Sequence, residues 1–455
     1  MAAAAERQVG TTVAQVFREE AGKIISALTG LFGLRNLELV EDAVQDALLQ
    51  AMRVWSYGSI PQNPSAWLMQ VAKNKALDVL RRAARLQKKE AEIIAALEGS
   101  SASASASEHF PEDEIKDDQL RLIFACCHPA LSRDSQIALT LKTLCGFNAE
   151  EIARAFLTSP QTIAKRLTRA RQRLRKDDVP FEIPSGAELS PRLDAVLTVF
   201  YLLFNEGYNA SEGADLIRED LCNEAIRLTG LIHEHPATTA PRIEALLALM
   251  LLQAARFPSR NSPEGEILLL QDQDRAKWNR AMIAEGLAHL DQSAVGDEVS
   301  AIHLEAGIAA CHCTAPSYDE TDWPKILLLY DLLLQANDSP VIALNRAVAL
   351  SKARGAKAGL AALRDIKNRA ALRKYYLYYA VQAEFQRELG QHDKAAANYG
   401  RALTLTRLST EKAFLARRLQ TAQQTSRGNR RGEREDHSHR RGCLEAPRVA
   451  RNRDR

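Results

Sequence analysis

The sequence predicts an all-α protein. Apolar residues recur at intervals of three and four along nearly the whole chain, alternation with a period of two is almost absent, and the breaks between stripes carry capping residues, glycine and proline. Three shifts in composition divide the 455 residues: a Ser/Ala run over 99–107, a segment with two prolines over 179–190, and an Arg-rich stretch from about residue 426. Helical modules are therefore expected over 10–90, 115–178 and 190–425. A flexible linker is expected over 91–114 and a disordered tail over 426–455, where almost nothing apolar is available for burial. A prior of about three domains for this length agrees.

In the first module, Val40, Ala43, Val44, Ala47, Leu48, Ala51 and Val54 mark one face of a helix. Its flank carries Glu38, Glu41, Asp42, Gln45 and Asp46. That acid cluster is poorly placed for phosphate and suits a basic protein partner. After a loop containing Ser56, Gly58 and Pro61, Asn63 is a good cap and Pro64 fits the first helical position. Leu68, Val71, Ala72, Ala76 and Val79 then turn inward, leaving Gln70, Lys73, Asn74 and Arg81 on the other side of a strongly basic helix. Trp55, Tyr57 and Trp67 have the chemistry to stack on unpaired bases, each stack worth about 1–3 kcal/mol. Core packing is the default reading for Trp55 and Trp67 taken singly.

The second module holds the most informative stretch, residues 146–176. Gly146 can end one helix and Asn148 can cap the next, with Glu151 completing a capping box. Ser159 then caps a further helix that Pro160 opens, and Ile163, Leu167, Ala170 and Leu174 give its buried stripe. Gln161, Thr162, Lys165, Arg166, Arg169 and Arg173 are left for a ligand. Eight Lys/Arg between 147 and 176 face only Glu150 and Glu151, in a chain whose net charge is +3. This is a helix-turn-helix with a phosphate-seeking second helix.

The start, MAAAAERQ, has neither a basic nor an apolar leader segment, and no apolar run approaches the roughly 18 residues of a membrane span. Seven cysteines without framework spacing point to a reducing compartment, so a cytoplasmic location without membrane contact is expected. Cys126-Cys127-His128 and Cys311-His312-Cys313 lack partners at zinc-site spacing and read as buried or incidental thiols. No metal, cofactor or enzymatic site is expected.

The long C-terminal part opens with an apolar helix over 193–208 that closes on FNEGY. Asn205, Glu206 and Tyr208 there could line a small-molecule pocket or, the stronger reading, form a helix-end network. Asn345, Gly355 and Leu360 align with Ala380, Gly390 and Ala395 at a spacing of 35. With Ala383, Tyr399 and Ala402 this resembles a tetratricopeptide repeat of about 34 residues. Such stacks offer a concave surface for a peptide or protein ligand.

The segments LVEDAVQDALLQAMRVW, PQNPSAWLMQVAKNKALDVLRR and TRARQRLRK, in that order, resemble regions 2 and 4 of bacterial RNA polymerase sigma factors of the extracytoplasmic-function type. The extension resembles that of a sigma subfamily ending in tetratricopeptide-like repeats. The resemblance implies that Glu41, Asp42, Gln45 and Asp46 meet the β′ clamp helices of RNA polymerase core, with the β flap as a further contact. It implies that 56–63 and the helix carrying Trp67, Lys73, Asn74 and Arg81 act on the −10 promoter element, and that 161–169 read the −35 element. An ordinary helix-turn-helix regulator with a repeat-type sensor, acting without polymerase, is the alternative; a repeat scaffold is the third.

Overall fold

The computed structural model describes residues 20–57, 60–86, 112–156, 158–184, 188–208, 217–262, 268–296, 299–406 and 408–442. Among them the regular structure is helical and no β-strand forms. No described helix is long and apolar enough to cross a membrane. The Ser/Ala run and Gly58 lie outside the described residues. The chain forms two compact units: one holds the described residues up to Tyr208 with Ile217–Met250, the other runs from Leu251 onward.

The first unit begins with α1 over 20–32, then α2 (Leu37–Tyr57) and α3 (Pro64–Leu86). The expected stripe of α2 is buried from Val40 to Ala51, but Val54 is 49% exposed and Trp55 is buried in its place. A stripe at 3.6 residues per turn reaches position 55 as readily as 54, and the larger ring takes the core site. On α3 the stripe runs through Leu68, Ala72 and Ala76 to half-buried Leu80, and the adjacent Val79 points outward. Asn63 caps α3 as expected, its Oδ1 accepting from the Ala66 N–H at 3.0 Å.

Four helices follow: α4 (Glu112–Cys126), α5 (Arg133–Thr143), α6 (Ala149–Ala155) and α7 (Pro160–Lys176). The same unit also contains α8 (Leu189–Tyr208) and α9 (Glu219–Glu234), and most of α10 (Pro241–Ala254). The division of the chain therefore falls near Met250, not at the Pro-containing segment near 190. Burial is the reason. Leu193, Val196, Phe200 and Leu203 of α8 are covered, and α8 packs against α4, α5 and α9. Arg133 at the start of α5 donates to Thr198 Oγ1 on α8 at 3.0 Å.

The FNEGY segment closes α8 against α9. A Cβ on Gly207 would stand 2.7 Å from Cys222 Sγ and 2.9 Å from the Arg218 carbonyl, so only glycine allows this approach. The Arg218 N–H donates to the Gly207 carbonyl at 2.8 Å, and Phe204 stacks on Tyr208 with ring centroids 5.9 Å apart. The motif is a helix-end packing device.

The second unit contains α11 (Arg280–Ser293), α12 (Ala301–Thr314), α13 (Trp323–Ala336), α14 (Pro340–Arg354), α15 (Ala356–Arg364), α16 (Tyr376–Glu388), α17 (His392–Leu405) and α18 (Ser409–Gly442). The segments aligned at a spacing of 35 form two helix pairs, α14/α15 and α16/α17. They turn at Gly355 and Gly390, whose φ angles are +88° and +71°. Ala383, Ala395, Tyr399 and Ala402 share a core with Leu415 of α18. The last helix continues to Gly442, so the expected disorder from 426 is not what 426–442 show. Leu415 and Ala422 anchor its first turns. Elongation of a nucleated helix through Arg and Glu, both good helix formers, is cheap.

Among the described residues six free cysteines are buried, including Cys126, Cys127, Cys311 and Cys313. Burial pushes the Cys127 thiol up to about 12. Thiols of this kind are inert structural residues.

Candidate functional site

The helix-turn-helix is assembled by local signals. Gly146 adopts φ +68°, and Asn148 Oδ1 accepts from the Glu150 N–H at 2.9 Å. The Glu151 side chain lies outside the described residues. Ser159 Oγ accepts from the Thr162 N–H at 3.2 Å, and Pro160 opens α7. Ile163, Leu167, Ala170 and Leu174 are buried, which fixes the rotation of α7 and turns Gln161, Thr162, Lys165, Arg169 and Arg173 outward. Thr162, Lys165, Arg166 and Arg169 line a cleft of about 390 Å³ with Ser132 and Ser135 at the start of α5. A helix N-terminus beside four basic or hydroxyl side chains suits an anion such as a phosphate.

The cationic residues of α7 are not equivalent. Lys165 and Arg169 are exposed. The Arg166 guanidinium lies over the Phe156 ring, 5.2 Å from its centroid, and pairs with Asp134 at 3.2 Å. Arg173 pairs with Asp177 at 2.6 Å. Arg171 belongs to neither group. It sits four residues after Leu167, at the edge of the buried stripe, and its side chain is only 15% exposed.

On α2, Glu38, Asp42, Gln45 and Asp46 are exposed. Asp46 pairs with Lys75 of α3 at 3.2 Å. Burial and the neighbouring Glu38 carboxylate push the Asp42 carboxyl upward. Glu41 is set apart: its side chain is 12% exposed, lies 2.7 Å from the Arg171 guanidinium and accepts from Thr143 Oγ1 at 2.7 Å. Burial pushes its carboxyl up, against the opposing pull of Arg171 and the Thr143 hydrogen bond.

Residues 16–86 match Sigma-70 region 2, and residues 121–174 match Sigma-70 region 4. A protein of Rhizobium meliloti (strain 1021), described as the uncharacterized protein R00370, is 38% identical over 398 residues, spanning 85% of this chain and 90% of its own length. The chain belongs to the sigma-70 family. It is a sigma factor of the extracytoplasmic-function type with a C-terminal extension, of which residues 192–294 match a family of unknown function (DUF6596). No solved structure matches it.

Region 2 of this sigma factor gathers α1, α2 and α3, so the acidic face and the basic α3 are neighbours. On α3, Asn74 is exposed and accepts from Gln70 Nε2 at 3.0 Å, while Lys73 is half-buried. Arg81 pairs with Asp78 at 3.7 Å. Trp55 is 1% exposed and lies 5.4 Å from the half-buried Trp67, so Trp55 is core and Trp67 alone of the two retains surface. The Tyr57 side chain lies outside the described residues.

Three features of these faces escape a reading of local pattern. Leu49 and Met52 are 53% and 47% exposed on α2, beside Gln45 and Asp46, and extend the acidic face with apolar surface. Helical spacing puts Leu49 one turn and Met52 two turns beyond Gln45. Ser132 and Ser135 border the cleft through tertiary packing alone, and so does the Arg171 contact with Glu41.

Proposed function

We propose that this sigma factor binds RNA polymerase core through α2 and directs initiation at promoters with −10 and −35 elements. In this reading Glu41, Asp42, Gln45 and Asp46, flanked by Leu49 and Met52, meet the β′ clamp helices, and region 4 meets the β flap. An acidic rim around exposed apolar side chains is the complement of a basic protein partner. Trp67, Lys73, Asn74 and Arg81 of α3 act on the −10 element. Gln161, Thr162, Lys165, Arg166 and Arg169 lie across the −35 element, with Arg173 on phosphate. The repeat pairs of the extension take a protein or peptide ligand and regulate in cis.

The observation that carries the proposal is the tandem in one chain: a protein-seeking acidic helix beside a basic helix, followed by a second module with a basic cleft at its helix-turn-helix. A duplex-binding regulator has no use for the first of these.

Run-off transcription with purified core enzyme on a genomic promoter library tests the reading. The full-length protein is expected to yield discrete transcripts that core alone does not produce. Asp42→Arg combined with Asp46→Arg is expected to abolish co-purification with core while leaving the thermal melt unchanged, since both side chains are exposed. Duplex binding without any effect on core would instead support a regulator that never joins polymerase.

A further inference from the structure

The two sigma regions are fastened to each other through the very face that α2 offers polymerase. Glu41 is enclosed by Arg171 of α7 and Thr143 of α5. One turn earlier Glu38 pairs with Arg175 at 3.1 Å, and Arg35 pairs with Asp178 at 3.0 Å. The packing around two glycines of α1 is close as well. A Cβ on Gly22 of α1 would stand 2.3 Å from the Leu144 carbonyl oxygen, and one on Gly30 would stand 2.8 Å from Asp118 Oδ2. Region 2 and region 4 thus share a close-packed, charge-matched interface.

We infer that this is a closed, self-blocked state in which the Arg171 and Arg175 side of α7 holds Glu41 and Glu38 at one end of the acidic face of α2, so that region 4 must leave before core polymerase can bind. The inference rests on the assignment of α2 to polymerase. Region 4 occupies α2 with the chemistry expected of the polymerase partner: guanidinium groups set against Glu38 and Glu41. The two partners therefore compete for Glu41, at the end of the face assigned to polymerase.

Two further observations make the state reversible and incompatible with a bound promoter. The central pair is imperfect: Arg171 reaches Glu41 Oε2 through Nη2 at 2.7 Å, but its buried Nε has no hydrogen-bond partner. A buried pair with unsatisfied polar atoms returns little of its desolvation cost, so it fixes an arrangement without locking it. Promoter elements centred near −10 and −35 lie on the order of 80 Å apart at about 3.4 Å per base pair. Two regions in direct contact cannot occupy both.

The test uses the full-length chain in a Cys443→Ser background. Dyes attached through Gln62→Cys and Gln172→Cys, both exposed positions, report the distance between the regions. Reversing Arg171→Glu with Arg175→Glu is expected to lengthen that distance and to tighten core binding roughly tenfold or more, because the competent fraction rises. Should those substitutions unfold region 4, a second pair decides: Glu38→Cys with Arg175→Cys, bridged by a short bis-maleimide. Bridging is expected to abolish core binding that the unbridged chain retains. Equal core binding by bridged and unbridged protein would overturn the closed-state inference, as would an unchanged dye distance in a folded charge-reversed variant. Failure of every form, wild type included, to bind core would sink the polymerase assignment itself.

Discussion

At the scale of single residues, the cations of α7 divide by what already holds them. Lys165 and Arg169 are exposed at the mouth of the cleft, while Arg166 is committed to Asp134 and Phe156. A side chain bonded to a base edge changes sequence preference, whereas one that holds the scaffold changes stability. Lys165→Ala and Arg169→Ala are expected to alter the preferred −35 sequence by about 1–3 kcal/mol per contacted base, with no change in Tm. Arg166→Ala is expected to lower Tm and weaken every −35 sequence alike. Arg173→Ala is expected to weaken binding uniformly and to lower the salt slope by about one, its phosphate contact displacing Asp177. Selection on randomised duplexes, run beside thermal melts, separates these outcomes. An unaltered preference in both the Lys165 and Arg169 variants would refute their base-reading role.

At the scale of elements, the glycine turns of the repeat pairs give a sharp contrast. A Cβ at Gly355 or Gly390 would touch nothing within 4 Å, yet both have positive φ. Alanine there is expected to cost about 1–3 kcal/mol through backbone strain alone. Gly230 in α9 and Gly400 in α17 are equally uncrowded but helical, so alanine at either is expected to stabilise by about 0.5–1 kcal/mol. Denaturant melts of the four variants check both signs; destabilisation at Gly400 equal to that at Gly390 would contradict the strain argument. These turns, like the Ser159 cap and the α7 stripe, were legible in the sequence because their causes are local. Trp55 in the core agrees with its default reading, but Val54 on the surface was not legible, since a periodic stripe leaves adjacent positions competing for one core site. Glu41 was read as a surface acid because its partner Arg171 is brought to it only by the packing of region 2 on region 4. The helix over 426–442 was hidden by a composition that argues disorder, while the anchor that nucleates it lies upstream at Leu415 and Ala422.

At the scale of the whole molecule, the boundary near Met250 changes what the extension is for. Helices α8, α9 and most of α10 belong to the unit that contains the helix-turn-helix, and α8 covers α4 and α5. Leu193, Val196, Phe200 and Leu203 are each at most 3% exposed. Complete burial of one such side chain is worth about 1.5–3 kcal/mol, so four amount to roughly 6–12 kcal/mol. That is comparable with the net stability of about 5–15 kcal/mol of an ordinary domain. A chain cut after Lys176 loses this cover and is expected to leave region 4 unfolded or aggregated, with transcription lost for that reason alone. A chain cut after Ala254 keeps α8 to α10 and is expected to melt cooperatively and to bind core. Any change in its promoter output then reports on the helical repeats. Circular dichroism melts and run-off transcription on the two truncations read folding and function separately. If the chain ending at Lys176 folded and transcribed like the full-length protein, α8 would be a passive neighbour and the boundary near Met250 would have no functional meaning.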